Sequence, residues 1–320
     1  MTVSRLRFEF TPASTGDRMS YIDLAQCLSV QERRLHRQFR HYTVLGGLVQ
    51  DSNNGTTVRF NTAPVTWVTN TALRRGFKLW SKMIRQSMEG MPGTVKPKYH
   101  DYKVYLNAHH QSGAGQLIPV DAGGNNIDVG EWLYSKYVSE DPDLGALVAS
   151  GLANPNNADM DPDQFYAHIV GDHVTGPGSG AGGGDNWTSI GLIKSWVDSR
   201  PQPQNSQPLI NTQAELAGDP LVNLFDEGDS VDEVLENLDV TNDEPPYDAD
   251  EPFGHRLGLV GNADNLQRQA MCAVSTANPI VPFNGFVAPC GLVQIHTTQT
   301  SGSPGALTIL LDVDTQGAKV

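Results

Sequence analysis

The fold class is decided by residues 271–313, MCAVSTANPIVPFNGFVAPCGLVQIHTTQTSGSPGALTILLDV. This stretch holds four short runs of aliphatic and β-branched residues, bounded by Pro, Gly, Asn or Ser. The runs cover residues 271–274, 281–287, 291–296 and 307–313. Short strands at a spacing of roughly ten residues favour a β-sandwich or barrel over an alternating βαβ fold.

The N-terminal part of the chain adds strand patterns of the same kind. Leu6, Phe8 and Phe10 alternate with charged residues, which is typical of a strand with one buried face. Residues 42–49 and 56–60 flank the sequence DSNNG. Because Asn and Gly tolerate the positive φ angles of tight turns, this arrangement predicts a β-hairpin.

Residues 64–106 predict a helix followed by a strand. After the cap-like pair Asn70-Thr71, residues 72–88 show a helical pattern with an apolar arc and an opposite cationic face. The arc holds Leu73, Phe77, Trp80, Met83, Ile84 and Met88, and the cations are Arg74, Arg75, Lys78, Lys82 and Arg85. Residues 99–106 then alternate in the manner of a half-buried strand. We therefore expect a helix that packs over a sheet.

A second basic stretch lies upstream of this helix. Ser29 and Glu32 have capping-box spacing, and Leu35 and Phe39 lie four residues apart. The stretch carries four arginines, Arg33, Arg34, Arg37 and Arg40. A basic helix and a basic strand both fit this pattern, and the sequence does not decide between them.

We interpret residues 109–255 as large loop insertions in a single domain that spans residues 1–320. Within them, Asp161-Pro162 predicts a helix start, with a helix or turn through residues 165–170. Residues 187–197 predict a strand. Residues 226–251 hold twelve acids and no base, and they predict one short acidic helix in a solvated loop.

Composition places the chain among loop-rich globular proteins, since its 320 residues include 32 Gly and 20 Pro and are 38% hydrophobic. No apolar run reaches the roughly 18 residues of a membrane span, and the N-terminus lacks the apolar core of a signal peptide. We therefore expect synthesis in the cytoplasm and no membrane partner. Cys27, Cys272 and Cys290 are widely spaced and form no CxxC pair, which predicts buried, reduced thiols.

Charge is divided unequally along the chain. Residues 1–103 carry 16 Lys and Arg against 7 Asp and Glu, whereas residues 104–320 carry 6 against 29. The first part therefore has a charge of +9 and the second a charge of −23. Such asymmetry indicates a basic surface that meets an anion and an acidic surface that faces solvent or a partner.

No pattern in the sequence nominates a catalytic residue or a cofactor. Residues 178–183 match GxGxxG, but no clear strand precedes them and no helix follows, so the geometry that cradles phosphate is missing. The sequences GxxxxGK[ST] and GxSxG are absent. The histidine groups, His109-His110 and His168 with His173, lack a third metal ligand. We therefore expect that the protein is not an enzyme.

Three alternating carboxylates are weak candidates for a metal site. Asp159, Asp161 and Asp163 resemble the start of a calcium loop, but Val170 stands where the bidentate glutamate belongs. Acids that stabilise a helix N-terminus explain the same pattern. We therefore expect no metal.

The best functional candidates are the nine cations of the two basic stretches. These are Arg33, Arg34, Arg37, Arg40, Arg74, Arg75, Lys78, Lys82 and Arg85. Lysine and arginine neutralise phosphates without sequence-specific geometry, and His41 or Tyr42 could stack on a base. The pattern predicts contact with nucleic acid or with another subunit. Acidic residues of the same chain are an alternative partner.

Several stretches resemble the capsid proteins of small viruses with circular single-stranded DNA genomes, especially those from aquatic environments. The resemblance covers about half of the chain and rests on YIDLAQCLS (21–29), RRLHRQFRHY (33–42), Trp67 with the basic helix, YHDYKVY (99–105), HIVGDH (168–173) and GLIKSWVDSR (191–200). It implies a jelly-roll major capsid protein whose identical subunits assemble into an icosahedral virion around genomic DNA. Such proteins often begin with a long basic arm. Here only Arg5 and Arg7 stand near the start, so genome contact would fall to the folded surface or to another small basic protein.

Three alternatives remain open at this point. Two small jelly rolls fit the length as well as one. A β-rich carbohydrate-binding or carbohydrate-processing protein would use Trp67, Trp132, Trp187 or Trp196 as sugar platforms, with a carboxylate pair from the acidic C-terminal region. A monomeric nucleic-acid-binding module would show affinity that falls steeply with salt.

Overall fold

The computed structural model describes residues 2–12, 16–51, 55–88, 99–113, 115–139, 163–175, 187–198, 266–299, 305–316 and 318–319. The chain divides into two compact units, Met1–Trp196 with Phe253–Val320, and Val197–Pro252. All the elements below belong to the first unit, except for the last two residues of the fourth helix.

The described elements are thirteen strands and four helices. The strands are β1 (Val3–Phe10), β2 (Gly16–Asp23), β3 (Arg40–Asp51), β4 (Thr56–Thr62), β5 (Lys136–Ser139), β6 (Asp163–His168), β7 (Val174–Thr175), β8 (Trp187–Gly191), β9 (Gln267–Val274), β10 (Ile280–Pro289), β11 (Leu292–Gln299), β12 (Leu307–Asp314) and β13 (Ala318–Lys319). The helices are α1 (Leu24–Glu32), α2 (Trp67–Ser87), α3 (Ala108–Gln111) and α4 (Leu192–Asp198).

Two antiparallel sheets form a β-sandwich, which confirms the expectation of a mainly β protein. The first sheet has the strand order β1-β12-β3-β10, and β13 pairs with the start of β3. The second sheet has the order β2-β11-β4-β9. All four strand patterns that the sequence shows between residues 271 and 313 are present, as β9 to β12.

The core of the sandwich is built by alternation along the strands. Leu6 and Phe8 of β1 are opposite Leu311 and Ile309 of β12, and all four side chains are fully buried. The same period continues on the facing sheet, where the core takes Val58 and Phe60 of β4, Val293 and Ile295 of β11, and Cys272 and Val274 of β9. The three cysteines are buried and free, as the sequence predicts.

A third, smaller sheet has the order β5-β6-β8-β7. Strand β6 corrects the prediction of a helix or turn over residues 165–170, because its backbone pairs with β5 on one side and with β8 on the other. The strand predicted over residues 187–197 is half right. It ends at Gly191, and the chain continues as helix α4.

Helix α2 confirms the two-faced helix of the sequence pattern. Leu73 and Trp80 are buried, and Phe77 and Trp80 both pack against Tyr102. The helix begins earlier than predicted, since Thr66 is the N-cap and its hydroxyl accepts from the Thr69 backbone N–H at 3.2 Å. The predicted cap, Asn70-Thr71, is therefore wrong and lies inside the helix.

The predicted hairpin over residues 42–60 is wrong, although both of its strands exist. β3 lies in the first sheet between β12 and β10, and β4 lies in the second sheet between β11 and β9. Turn-forming residues indicate that the chain reverses direction, but they do not determine which strands pair with each other. The two strands belong to opposite layers of the sandwich.

Residues 99–106 are extended but form no strand, which corrects the predicted half-buried strand. The Tyr105 N–H donates to the Ala167 carbonyl at 3.0 Å, and the Ile169 N–H donates to the Tyr105 carbonyl at 3.0 Å. Lys103 is buried as deeply as its neighbours, so the alternation does not separate two faces. The segment lies between the third sheet and the loop before β3, because Val104 bonds to the Gln38 side chain.

The predicted capping box at Ser29 and Glu32 is also wrong. Helix α1 starts at Leu24, and its N-cap is Asp23, whose carboxylate accepts from the backbone N–H groups of Ala25 and Gln26. The helix ends at Glu32, where Arg33 takes a left-handed backbone conformation with φ 54°. The arginines from Arg33 to Arg37 therefore lie in a loop, and Arg40 begins β3.

Some predictions fall outside the described residues. They are the glycine-rich segment 178–183, the acidic segment 226–251, and Asp159 and Asp161. None of the helices in the described part of the chain has the length and apolarity that crossing a membrane requires.

Candidate anion-binding surface

The loop that carries the predicted arginines, residues 33–39, is held by side chains on both of its sides. The His36 N–H donates to the Ser29 hydroxyl at 2.8 Å, and the Tyr42 hydroxyl donates to the Arg37 carbonyl at 2.8 Å. Phe39 stacks on Phe77 of α2 with 4.7 Å between ring centroids. These contacts fix the backbone from which the arginine side chains project.

Arg34, Arg37 and Arg40 surround one cleft of about 560 Å³ at the end of the sandwich where β1 and β3 begin and β12 ends. The remaining lining residues are Thr2, Leu35, His36, Tyr42, Thr315 and Gln316. Among the residues that the structure describes, no carboxylate lines this arginine cleft. Three of the predicted cations therefore line one cleft. Two of them lie in the loop after α1 and the third at the start of β3, and the other lining residues include residues from both ends of the sequence.

The three arginines differ in how many contacts they already make. Arg34 pairs with Glu32 at 2.8 Å and donates to His36 Nε2 at 3.0 Å. His36 Nε2 also lies 2.9 Å from Glu32 Oε2, and burial lowers the pKa of His36 below its ordinary value. Arg40 donates through Nη1 to the Gln316 carbonyl at 2.9 Å. Among the described residues, the Arg37 guanidinium has no hydrogen-bond partner.

Arg33 does not line the arginine cleft. It lines a second cavity of about 290 Å³, which also contains Lys103, Asp128 and Glu131. Lys103 lies 4.6 Å from the Trp132 ring centroid, and burial lowers the pKa of its ammonium group. Charges of both signs meet in this cavity, so it does not select for anions as the arginine cleft does.

The five predicted cations of α2 are all exposed, as the helical pattern predicts. In the part of the chain that the structure describes, no acidic side chain lies within ion-pair distance of them. The Phe39–Phe77 contact joins their helix to the arginine loop. The two basic stretches therefore lie on neighbouring elements, and within the described protein Arg34 alone among these nine cations forms an ion pair.

Asp23 is a buried carboxylate for which the sequence pattern gave no functional prediction. Besides capping α1, it accepts from Gln38 Nε2 at 2.9 Å and from Trp132 Nε1 at 3.1 Å. Burial raises its pKa to about 6, and these donors limit the rise. An Asp immediately before an apolar helical run is the signal that could have identified the cap.

The histidine groups are accounted for by hydrogen bonds and packing. His109 and His110 lie on α3, where His110 stacks on Tyr21 at 4.6 Å and His109 Nδ1 is 3.0 Å from the Tyr21 hydroxyl. His168 is bonded to the Ser189 hydroxyl at 2.7 Å. Within the described ranges, no three His, Cys, Asp or Glu side chains are grouped to hold a metal. The side chain of Asp163 lies outside the described residues.

The tryptophans predicted as sugar platforms are engaged with other side chains where the structure describes them. Trp132 is covered by Lys103 and bonded to Asp23. Trp67 packs edge-on against Trp196 at 5.3 Å. The Trp187 side chain lies outside the described residues. Trp67 nevertheless remains half exposed.

The fold and the site together define a β-sandwich protein with a cationic surface at one end. Comparison of the chain with protein-family models, with curated proteins and with solved structures gave no match.

Proposed function

We propose that the chain is a jelly-roll capsid protein that assembles into a closed, icosahedral shell around a nucleic-acid genome, and that it has no catalytic role. The observation that carries the proposal is the pairing scheme of the eight sandwich strands. The resemblance to capsid proteins of small circular single-stranded DNA viruses points in the same direction.

The pairing scheme is that of one long antiparallel hairpin wrapped into a sandwich. In chain order the eight strands are β1, β2, β3, β4, β9, β10, β11 and β12. The first pairs with the eighth, the second with the seventh, the third with the sixth and the fourth with the fifth. This nesting is expected of a jelly roll, a fold that viral capsids share with lectins and cupins. It supports one jelly roll rather than two.

The two edges of the sandwich differ in a way that suits a shell subunit. Residues 115–120 cover the β1–β2 edge, since the Val120 N–H donates to the Arg7 carbonyl at 2.8 Å and the Leu117 N–H donates to the Tyr21 carbonyl at 2.8 Å. At the β9–β10 edge, no described segment bonds to the outer side of either strand. Met271 and Ile280 are about half exposed there. An uncovered sheet edge with apolar side chains is a ready surface for another subunit.

Size-exclusion chromatography with light scattering, followed by electron microscopy of the earliest fraction, tests the proposal. We expect closed particles with a mass of megadaltons. A monomer or dimer that persists across salt and pH would contradict the shell function, and nucleic-acid binding without particles would favour a monomeric binding module.

Ile280→Asp is expected to abolish the large particles and leave a folded, smaller species. The new carboxylate would be desolvated in the subunit contact at the β9–β10 edge, which typically costs several kcal/mol. Leu133→Asp is the matched control, because Leu133 is even more exposed but lies outside both sheets. Chromatography of the two variants measures the effect. If both variants assemble, or if both fail to, the β9–β10 edge is not the specific contact.

Arg75→Gln/Lys82→Gln is expected to weaken binding of single-stranded DNA and to flatten its salt dependence. If both side chains of α2 contact phosphates, the slope of log affinity against log salt should shrink by about 1.4. Fluorescence anisotropy with oligo(dT) over a series of salt concentrations measures this slope. Lys136→Gln/Arg268→Gln removes the same charge elsewhere and should leave the slope unchanged. Equal slopes for the two double variants would mean that α2 does not contact the phosphates.

A further inference from the structure

We propose that the arginine cleft is a binding site for a compact polyphosphate, of the size of tripolyphosphate or the phosphate chain of a nucleoside triphosphate. The proposal does not depend on assembly into a shell. It concerns a concave site formed by the end of the sandwich, whereas the cations of α2 lie on an open helix face.

The charge of the arginine cleft selects for an anion of several charges. Arg34, Arg37 and Arg40 all line it, and Glu32, the one described acid that pairs with any of them, is not among the lining residues. The charge of Arg34 is partly balanced by this pair. Arg37 and Arg40 have no ion-pair partner in the described part of the chain. Guanidinium groups donate planar pairs of hydrogen bonds that match phosphate oxygens.

Enough hydrogen-bond donors remain for such a ligand. A guanidinium group has five N–H donors, and the bonds described above use one of them on Arg40 and none on Arg37. The side chains of Thr315 and Gln316 add polar groups to the same wall. Because Arg40 is already anchored to the Gln316 carbonyl, less rotamer entropy is lost when it binds.

The volume of the arginine cleft fits a compact ligand. At about 560 Å³ it lies within the range of about 300–1,000 Å³ that is usual for small-molecule sites. Its walls come from four separate parts of the chain, namely residue 2, the loop 34–37, the start of β3 and residues 315–316. The Thr315 N–H donates to the Thr2 carbonyl at 3.0 Å, which ties two of these walls together. The site is therefore preformed.

Isothermal titration calorimetry of the full chain with sodium tripolyphosphate tests the proposal. We expect saturable binding at one site per chain, and at least about tenfold weaker binding for Arg37→Gln/Arg40→Gln, since two charge-assisted contacts are lost. Lys136→Gln/Arg268→Gln carries the same change in net charge but lies outside both the arginine cleft and α2, and it should bind within about twofold of the unchanged protein. A melting curve of each variant without ligand establishes that it is folded.

Arg37→Gln alone guards against a folding defect, because the Arg37 side chain has no described hydrogen bond or ion pair to lose, only a longer-range attraction to Asp101. We expect this variant to melt as the unchanged protein does and still to bind tripolyphosphate more weakly. An equal loss of affinity in the cleft double variant and in Lys136→Gln/Arg268→Gln would overturn the proposal, because general electrostatic attraction would then explain the binding. The absence of saturable binding by the unchanged protein would overturn it as well.

ATP serves as a second probe that separates the phosphate chain from the rest of a nucleotide. Affinity equal to that of tripolyphosphate, with the same loss in Arg37→Gln, supports recognition of the phosphates alone. Binding of ATP without any binding of tripolyphosphate would overturn the proposal in favour of a site for the base. These outcomes are independent of particle formation, so the failure of one proposal does not decide the other.

Discussion

Asp23→Ala is expected to lower the free energy of unfolding by about 3 kcal/mol at neutral pH. The substitution removes the N-cap of α1 and leaves the buried donors of Gln38 and Trp132 without an acceptor. A lost cap typically costs about 1 kcal/mol and each unpaired buried donor about 1–3 kcal/mol, partly offset because a desolvated charge is removed. Urea denaturation followed by tryptophan fluorescence measures the difference.

The cost of Asp23→Ala should grow as the pH falls. The pKa of Asp23 is raised to about 6 from an ordinary value of 3.8, so the folded state binds this proton more tightly than the unfolded state does. The resulting stability is fully present below about pH 4 and is lost as the pH rises through about 6. The difference in free energy of unfolding between the unchanged protein and Asp23→Ala should therefore be about 2–3 kcal/mol larger at pH 4 than at pH 7.

Asp23→Asn separates the charge from the hydrogen bonds of this site. The amide keeps one acceptor oxygen for the cap, but its N–H₂ group is a donor and cannot accept from either Gln38 or Trp132. We expect an intermediate loss of stability without the pH dependence assigned to the carboxyl group. A gap between the unchanged protein and Asp23→Ala that stays constant from pH 4 to pH 7 would contradict the raised pKa.

Gly47→Ala is expected to cost about 3 kcal/mol or more, or to prevent folding. Gly47 lies in β3, the central strand of the first sheet, with β10 and β12 on either side. A Cβ atom there would overlap the Leu310 carbonyl oxygen and would lie 2.6 Å from Cζ of Phe283. Since the backbone of a neighbouring strand cannot move aside cheaply, the strain exceeds that of ordinary overpacking.

Gly130→Ala is the matched control for Gly47→Ala, because a Cβ atom at Gly130 would have no neighbour within 4 Å. We expect its melting temperature to stay within a few degrees of the unchanged protein. Circular dichroism during heating compares the two variants. A Gly47→Ala protein as stable as the Gly130→Ala protein would mean that β3 does not pack between its neighbours as described.

The elements that the sequence predicted are those that local patterns specify. Helix α2 shows the predicted two-faced pattern, and β1 and β12 bury alternate residues, whereas β11 is buried at almost every position and was predicted as a short apolar run between turn residues. The hairpin over residues 42–60 failed because strand pairing is decided by packing between distant parts of the chain. Residues 99–106 failed because the segment is covered on more than one side, so its alternation does not report burial.

The sequence predicts which charged residues belong to the candidate site, but not which of them the fold brings together. Helical spacing puts the cations of α2 on one face, and that prediction holds. The arginine cleft could not be predicted, because Arg37 and Arg40 meet Thr315 and Gln316 only after β1, β3 and β12 have paired. Asp23 was missed because its partners, Gln38 and Trp132, lie far from it in sequence.

The strand order also fixes when the sandwich can fold. Every described pair within it joins a strand from residues 3–62 to a strand from residues 267–319, so neither sheet contains a described pair made from one end of the chain alone. During synthesis, β1 to β4 therefore cannot form their sheet pairs until β9 to β12 have left the ribosome. Contacts between residues so distant in sequence make folding slow. Until β9 has been synthesised, the apolar side chains of β1 to β4 stay exposed, and chaperones can bind them.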